Sequence, residues 1–251
     1  MSENEFNVAA GDFPEPFRLL VRETTESTND DASEFGRGGA GDGLVILAGR
    51  QTAGRGRRGA AWFAPAGESL AFSMLVRPAE PKALWPRLAL AAGLAVAEAV
   101  EAFGLPCGIK WPNDVWIGGR KVAGILVEAG ADFAVVGIGL NVNTAAFPAD
   151  ISGATSLRIE GGREFPRGDV LGEIVHKFAV RRRQIGGDFP ALLDAVRQRC
   201  VLTGNRVGLT TASGPRTGIV EGIAAGLVIC VAVLIGRMVA RQVPSLATSQ
   251  S

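Results

Sequence analysis

The segment from residue 86 to residue 141 places the strongest constraint on the fold, because a long apolar helix is followed at once by closely spaced strands. Residues 86–103 are nearly all good helix formers, and Gly104-Leu105-Pro106 ends the pattern. Short strands joined by turn sequences are then predicted over 109–111, 115–117, 121–128 and 133–141. We therefore expect an α+β fold with a mixed, mostly antiparallel sheet and flanking helices, rather than a doubly wound sheet.

The same patterns divide the rest of the chain. Strands are predicted over 17–22, 44–48 and 69–76, and helices over 27–35, 169–183 and 189–200. Beyond residue 203 the pattern changes to short strands over 206–210, 217–223, 227–234 and 238–243, which is enough for a small barrel. We expect a polar tail over residues 1–16, one large domain over 17–202 and a small C-terminal domain over 203–247.

The composition argues against several functional classes. The net charge of +1 provides no basic field for nucleic acid. The single histidine, His176, argues against histidine-ligated metal sites, and we interpret it as structural because it lies in a predicted helix. The three cysteines form no CxxC pair, which fits a reducing cytosol, and the N-terminus has no signal-peptide pattern. The longest apolar run, residues 224–235, is too short to span a bilayer and favours a buried strand.

A loop rich in arginine and glycine is the sharpest local feature. Residues 50–59 hold four arginines and three glycines directly after a predicted buried strand. Glycine lets a backbone approach a ligand closely, and arginine supplies paired donors for phosphate or carboxylate. The loop lacks the GKS or GKT of a Walker motif. An anion-binding loop, a solvated basic loop and an RNA-binding loop all remain open at this point.

Two lysines in the meander are the second candidate feature. Lys110 precedes a Pro-Asn-Asp turn in Lys110-Trp111-Pro112-Asn113-Asp114, and Lys121 follows one hairpin later. A lysine held in this way can place its ammonium group against a phosphoryl or carbonyl oxygen as charge develops. Either lysine taken alone fits a solvated surface position equally well. Pairing of the strands could bring both into one pocket suited to a triphosphate.

Five motifs together resemble those of the biotin protein ligases, the biotin–[acetyl-CoA-carboxylase] ligase family. They are ESTN at 26–29, RQTAGRGRRGAAW at 50–62, KWPND at 110–114, KVAGILVE at 121–128 and GIGLNVN at 137–143. The resemblance covers residues 17–200 well and the remainder weakly. It implies a class II synthetase-like catalytic domain over 17–202 and an SH3-like barrel over 203–247. It also implies the form without an N-terminal DNA-binding domain, since about sixteen residues cannot form one.

The resemblance also implies roles for individual residues, which fall into three groups. Those implied to bind biotin are Ser27, Thr28, Asn29, Gln51, Arg55, Gly56, Arg57 and Lys110. Those implied to bind ATP are Arg58, Lys121, Asn141 and Trp62, with Asn143 as a weaker candidate and Trp62 alternatively a core residue. Those implied to be catalytic are Lys110, Arg57 and Arg58, and no protein metal ligand is expected.

The function implied by the resemblance is a two-step ligation. ATP and Mg²⁺ activate biotin to biotinyl-5'-AMP, and biotin then passes to a lysine of a biotin carboxyl carrier protein in the cytoplasm. No nucleic acid or membrane partner is expected, and a homodimer is left open. Two alternatives remain: a lipoate or octanoate ligase, which shares the fold by resemblance, and a biotin- or nucleic-acid-binding module without turnover.

Two segments depart from the family pattern. Ala60-Ala61 stands where many members carry another basic residue, which puts part of the loop's phosphate contact in doubt. Residues 224–243 are unusually apolar for the half-exposed strands of a small barrel. A normal strand pair, an interface strand and a divergent or frameshifted tail are all compatible with that composition.

Overall fold

A seven-stranded sheet forms the centre of the protein. The structure is a computed structural model that describes residues 13–211, 214–224 and 229–233. The strands are β1 (Arg18–Thr25), β2 (Leu44–Gln51), β3 (Ser69–Val76), β4 (Gly108–Lys110), β5 (Asp114–Ile117), β6 (Arg120–Ala129) and β7 (Ala134–Asn141). Their order is β1-β2-β3-β7-β6-β5-β4, and every pair except the parallel β1–β2 pair is antiparallel. The expected mixed, mostly antiparallel sheet is confirmed.

Helices cover one face of this sheet and create the main core. The helices are α1 (Thr28–Arg37), α2 (Arg87–Ala102), α3 (Leu157–Gly161), α4 (Arg167–Arg183) and α5 (Phe189–Gln198). α2 packs against both α4 and α5, and the core includes the fully buried Leu94 and Phe178. The segment Lys82–Ala102 is long and apolar enough to cross a membrane, but 67% of its apolar window is buried inside the fold. Its composition is therefore explained by its position in the core.

α1 covers only part of the opposite face. It packs on β2, β3 and β7, where Ala32, Ile46, Leu75 and Phe133 form a second, smaller core. Beyond the N-terminal end of α1 the sheet is not covered by a helix in the described part of the chain. This uncovered area, bordered by the start of α1, is where the candidate site lies.

A three-stranded antiparallel sheet follows α5. It consists of β8 (Arg206–Thr211), β9 (Gly214–Ile223) and β10 (Ile229–Val233), in the order β10-β9-β8. The small sheet contacts the large unit directly: Ile223 is buried in the main core, and its carbonyl accepts a 2.8 Å bond from Arg197 Nε. The strand expected over 238–243, and most of the apolar segment 224–243, lie outside the described residues. The SH3-like barrel therefore remains a prediction.

Two features of the fold were not expected. Phe13 is buried in the main core, so the packed chain begins before residue 17. The short helix α3 was not predicted, because it has five residues and too few positions to show a period. Its start is marked by Ser156, whose hydroxyl accepts the backbone N–H of Ile159 at 3.1 Å.

Candidate active site

The candidate site is a pocket whose floor is made of residues with little or no side chain. On the uncovered face, Ala71 of β3 lies opposite Gly139 of β7, and Gly139 lies opposite Gly124 of β6. Gly137 is two residues before Gly139 and shares its face. All four line the pocket. The backbone of three adjacent strands is therefore open to close approach by a ligand or by side chains from the walls.

Glycine is required at Gly137 and Gly139 because other side chains of the protein pack directly against their backbone. A Cβ added at Gly137 would be 2.1 Å from Asn29 Oδ1, and a Cβ added at Gly139 would be 2.2 Å from Trp62 Cε2. The Asn29 amide and the Trp62 indole therefore rest directly on the sheet backbone. The glycines of the GIGLNVN motif set the depth of the pocket.

We expect Gly137→Ala to displace the Asn29 amide, to destabilise the protein by about 1–3 kcal/mol and to weaken ligand binding. In a chain of this size each kcal/mol corresponds to a Tm change of roughly 2–4 °C. Gly172→Ala is the matched control, since Gly172 lies in α4 and a Cβ there meets nothing within 4 Å. Scanning calorimetry measures the change in stability, and titration with biotin, the ligand that the sequence motifs imply, measures the change in binding. An equal Tm for the two variants would contradict this account of the floor.

A polar wall joins the start of α1 to β2 and β3. The backbone N–H of Thr28 donates to Gln51 Oε1 at 2.8 Å, and Thr28 Oγ1 lies 2.7 Å from Ser73 Oγ. Ser73 in turn donates to Asn29 Oδ1 at 2.6 Å. Thr28, Asn29 and Gln51 line the pocket, as the resemblance implied, while Ser73 supports them from β3.

Ser27 contributes to the same wall. It is the N-cap residue of α1, but its hydroxyl makes no capping hydrogen bond. An N-cap serine usually accepts a backbone N–H of the first turn. Ser27 is buried and lines the pocket, so its hydroxyl is available to a bound ligand.

The arginine–glycine loop folds back on itself as a tight hairpin. Arg55 pairs with Ala61, Gly56 N–H donates to Ala60 O at 2.6 Å, and Trp62 N–H donates to Gly54 O at 3.0 Å. This pairing turns the Trp62 side chain into the pocket. The residues Gly56, Arg57 and Trp62 line it.

Arg58 occupies the tip of the hairpin. Its φ of 59° and ψ of 25° are left-handed, a conformation that costs a non-glycine residue roughly 1–2 kcal/mol. The side chain is exposed and is not part of the pocket lining. Of the residues expected to bind ATP, Lys121 and Trp62 line the pocket, whereas Arg58 and Asn141 do not.

Arg55 is held by two carboxylates. Its Nη1 and Nη2 donate to Asp30 at 2.6 and 2.7 Å, and Nη2 also lies 3.2 Å from Glu128 Oε2. The hydrogen bonds from Arg55 lower the pKa of Asp30, and those to Asp30 raise the pKa of Arg55. The guanidinium charge is thus balanced within the protein. Arg55 lines the pocket but anchors the loop to α1 and β6 rather than offering a free cation to an anion.

Two other cations line the pocket near the Lys-Trp-Pro-Asn-Asp motif. Arg57 Nη1 donates to Asn113 Oδ1 at 3.0 Å, and Lys121 Nζ lies 2.7 Å from Asp114 Oδ1 and 5.4 Å from the Trp62 ring centroid. Both side chains retain donors for a ligand, because each uses only part of its donor set.

Lys110 departs from the expectation. Its ammonium lies 4.1 Å from the centroid of the Trp116 ring, on strand β4 at the edge of the sheet, and Lys110 is not among the pocket-lining residues. Lys121 is placed in the pocket by a register shift between Val115 and Trp116, which sets Lys121 opposite Trp116. The structure therefore unites Lys121, and not Lys110, with Arg57.

The two asparagines of the GIGLNVN motif have different surroundings. Asn141 Nδ2 donates to Thr155 O at 2.9 Å, whereas its buried Oδ1 has no partner in the described part of the protein. Asn143 uses both ends of its amide on the backbone of Phe165. Asn141 thus keeps an acceptor for a ligand donor, while Asn143 is committed to the structure.

The space left in the pocket is small. It amounts to about 60 Å³, compared with roughly 300–1,000 Å³ for typical small-molecule sites. Trp62 accounts for much of this restriction, because it lies over Gly139 and within 3.2 Å of a Cβ position at Gly124. Its buried indole N–H has no partner among the described residues. A ligand of ordinary size would therefore fit only with Trp62 displaced from the floor.

Known proteins share this fold and these motifs. A family model described as the biotin/lipoate A/B protein ligase family matches residues 21–143. A biotin–[acetyl-CoA-carboxylase] ligase of Mycobacterium tuberculosis is 39% identical over 203 residues, covering 78% of this chain and 76% of that one. The biotin protein ligase of Aquifex aeolicus in complex with biotin and ATP matches with a TM-score of 0.77 at 31% identity, over 85% of this chain and 91% of that chain.

A bifunctional ligase/repressor of Bacillus spizizenii is also similar, at 36% identity over 174 residues. That match covers 66% of this chain and 54% of the relative, so the chain spans about half the length of the Bacillus protein. The extent of the Mycobacterium match nevertheless establishes the relationship. The chain belongs to the biotin protein ligases of the biotin/lipoate A/B protein ligase family.

Proposed function

We propose that this protein activates biotin with ATP to biotinyl-5'-AMP and transfers biotin to a specific lysine of a biotin carboxyl carrier protein in the cytoplasm. The observation that carries the proposal is a single pocket with two chemically distinct ends. One end has the uncharged polar wall of Ser27, Thr28, Asn29 and Gln51, and the other has the cations of Arg57 and Lys121.

The polar end suits the ureido group of biotin. This group has two N–H donors and one carbonyl acceptor, and the wall offers both hydroxyl oxygens and amide donors. Displacement of the Trp62 indole from the glycine floor would make room for the flat bicyclic ring. The cationic end then receives the carboxylate at the far end of the valeryl chain.

The cationic end suits the first chemical step. A biotin carboxylate oxygen attacks the α-phosphorus of ATP and pyrophosphate leaves, so two anions must approach one another. Arg57 and Lys121 would offset this repulsion and the charge of the transition state. We assign the lysine nearest the reacting atoms to Lys121 on its position in the pocket, whereas the sequence motif favoured Lys110. In the second step the acceptor lysine amine attacks the acyl carbonyl and AMP leaves.

Nucleotide binding is assigned to Asn141 and Trp62. The unpartnered Oδ1 of Asn141 can accept a hydrogen bond from the exocyclic amine of adenine, and the Trp62 indole offers an aromatic surface. No group of three or more metal-ligating side chains occurs within the residues described. Mg²⁺ enters this proposal as the counter-ion of ATP, because it is commonly held by substrate phosphates and water with few protein ligands.

The test is ATP–pyrophosphate exchange with biotin, lipoate and octanoate supplied separately, followed by transfer to a carrier domain. Exchange that depends on biotin, with no exchange for the other two acids, is expected. Exchange driven by lipoate or octanoate would favour the alternative ligase. Binding of biotin without exchange would favour a module without turnover.

A further inference from the structure

One carboxylate, Glu128, stands at the end of a hydrogen-bond chain that runs along the polar wall. Asn29 Nδ2 donates to Glu128 Oε2 at 2.6 Å, and Asn29 Oδ1 accepts from Ser73 Oγ at 2.6 Å. Ser73 Oγ lies 2.7 Å from Thr28 Oγ1. The chain thus connects Glu128, which is not part of the pocket lining, to Thr28, which is.

The carboxylate fixes the direction of every bond in this chain. An ionised carboxylate only accepts, so the NH₂ end of the Asn29 amide must face Glu128 and the oxygen must face Ser73. The single hydroxyl hydrogen of Ser73 is then used on Asn29. Thr28 must therefore donate its own hydrogen, which is shared between Ser73 Oγ at 2.7 Å and Gln51 Oε1 at 3.1 Å, and its lone pairs are left for the pocket.

The middle of the hydrogen-bond chain is buried, while the Glu128 side chain at its end is 37% exposed. Asn29 is 5% exposed and Ser73 is fully buried. The Asn29 amide rests against Gly137, and Arg55 Nη2 holds Glu128 from the other side at 3.2 Å. Buried polar chains of this kind transmit the polarity of their charged member to the far end.

Gln51 offers the pocket a hydrogen-bond donor, whereas Thr28 offers an acceptor. Its Oε1 receives the backbone N–H of Thr28, which directs Nε2 away from Thr28 and next to Gly54. Gln51 lines the pocket, and its Nε2 has no hydrogen-bond partner among the described residues of the protein. The wall therefore offers an acceptor at Thr28 and a donor at Gln51, which complement a ureido N–H and a ureido carbonyl.

We propose that Glu128 is a positioning residue for biotin, which acts through Asn29 and Ser73 to present the Thr28 hydroxyl oxygen as an acceptor to a ureido N–H. This inference rests on the proposed function, since it assumes that biotin is the ligand of the pocket. It concerns recognition of the ureido group and not the reaction at the carboxylate.

The first test is Glu128→Gln. A glutamine amide can either donate or accept, so it no longer specifies the direction of the chain. We expect the Kd and KM for biotin to rise about tenfold, the value of one well-made hydrogen bond, with KM for ATP within about twofold of the parent. Glu101→Gln is the matched control, because it removes a similar pair with Arg199 away from the pocket and should leave both constants unchanged.

The second test separates positioning from general destabilisation. Ser73→Ala interrupts the chain between Glu128 and Thr28 without changing any charge. If Glu128 acts through Ser73, Glu128→Gln should weaken biotin binding about tenfold in the parent but less than twofold in the Ser73→Ala background. Calorimetric titration of biotin into the parent, the two single variants and the double variant completes this double-mutant cycle.

Each outcome decides the question. Equal effects of Glu128→Gln in both backgrounds, or equal losses for biotin and ATP, would overturn the positioning role while leaving the ligase proposal intact. If Glu128→Gln fails to fold, Ser73→Ala alone must still raise the biotin KM without raising the ATP KM, and an unchanged biotin KM overturns the inference. A parent protein that does not bind biotin would instead reject the proposed function, and the inference with it.

Discussion

Replacing Lys121 by glutamine is expected to slow formation of biotinyl-5'-AMP by roughly 10²–10³-fold, the usual cost of losing one stabilising group at a developing charge. Lys121 lines the pocket together with Arg57, and its ammonium is oriented by Asp114 at 2.7 Å. Glutamine keeps the length and polarity of the side chain but removes the charge. Biotin affinity should fall much less, because the ureido wall lies at the other end of the pocket.

Lys110→Gln provides the critical comparison, since the sequence motif assigned the catalytic lysine to that position. Its ammonium lies over the Trp116 ring instead, so we expect a smaller loss than for Lys121→Gln. Lys177→Gln on α4 removes a lysine paired with Glu173 and controls for loss of positive charge. Single-turnover adenylation with excess enzyme measures all three. A larger loss for Lys110→Gln than for Lys121→Gln would restore the motif-based assignment.

A bulge between neighbouring strands explains how Lys121 comes to line the pocket. Without it, Lys121 and Gly124, three residues apart, would face opposite sides of β6. The register shift between Val115 and Trp116 sets Lys121 opposite Trp116, and both Lys121 and Gly124 then line the pocket. A bulge of this kind leaves no mark in the alternation of apolar residues, so only the folded strands reveal it.

Elements with long, regular patterns were predicted closely. β3 occupies Ser69–Val76 as expected, and α2 occupies Arg87–Ala102 against an expected 86–103. Continuous apolar and alanine-rich runs leave few alternatives to a buried strand or helix. The parallel pairing of β1 with β2 was not predicted, because pairing direction depends on how the chain crosses the sheet and not on local pattern.

Most residues expected to bind biotin line the pocket, whereas Lys110, Arg58 and Asn141 do not, and the groups that hold the lining residues were not predicted. Asn29 and Glu128 are 99 residues apart in sequence, and Asn29 and Ser73 are 44 apart, yet both pairs are joined by hydrogen bonds. Asp30 and Asn113 were likewise not identified, although they hold Arg55 and Arg57. Side chains that act through others carry no spacing signal of their own. Glu128 and Asn113 stood in the recognised motifs KVAGILVE and KWPND, but the motifs gave neither residue a role.

Arg57→Gly is expected to release the reactive intermediate, with loss of biotinyl-5'-AMP accelerated by roughly 10–150-fold. A mixed anhydride must be retained until the acceptor lysine arrives, which requires a closed loop and a cation beside the phosphate. Arg57 lines the pocket and is tied to Asn113 at 3.0 Å, so it links the loop to the opposite wall. Glycine removes the guanidinium and loosens the backbone at the same point. Losing one charge-assisted contact of about 1.5–3 kcal/mol accounts for the expected range.

The variant should still form the adenylate, but it should label unrelated lysines. A mixture of carrier domain, serum albumin, biotin and MgATP, probed for biotin on both proteins, measures this leakage. Arg58→Gly is the informative comparison, because it removes a guanidinium group from the next residue of the same loop. The Arg58 side chain is exposed and does not line the pocket. Its glycine also relieves the left-handed conformation found at φ 59°. Retention of the adenylate by Arg58→Gly together with leakage by Arg57→Gly would show that position in the pocket, and not loop charge or flexibility, holds the intermediate. Equal leakage from both variants would mean that the loop retains it through its overall charge, and strict carrier labelling by Arg57→Gly would remove Arg57 from this role.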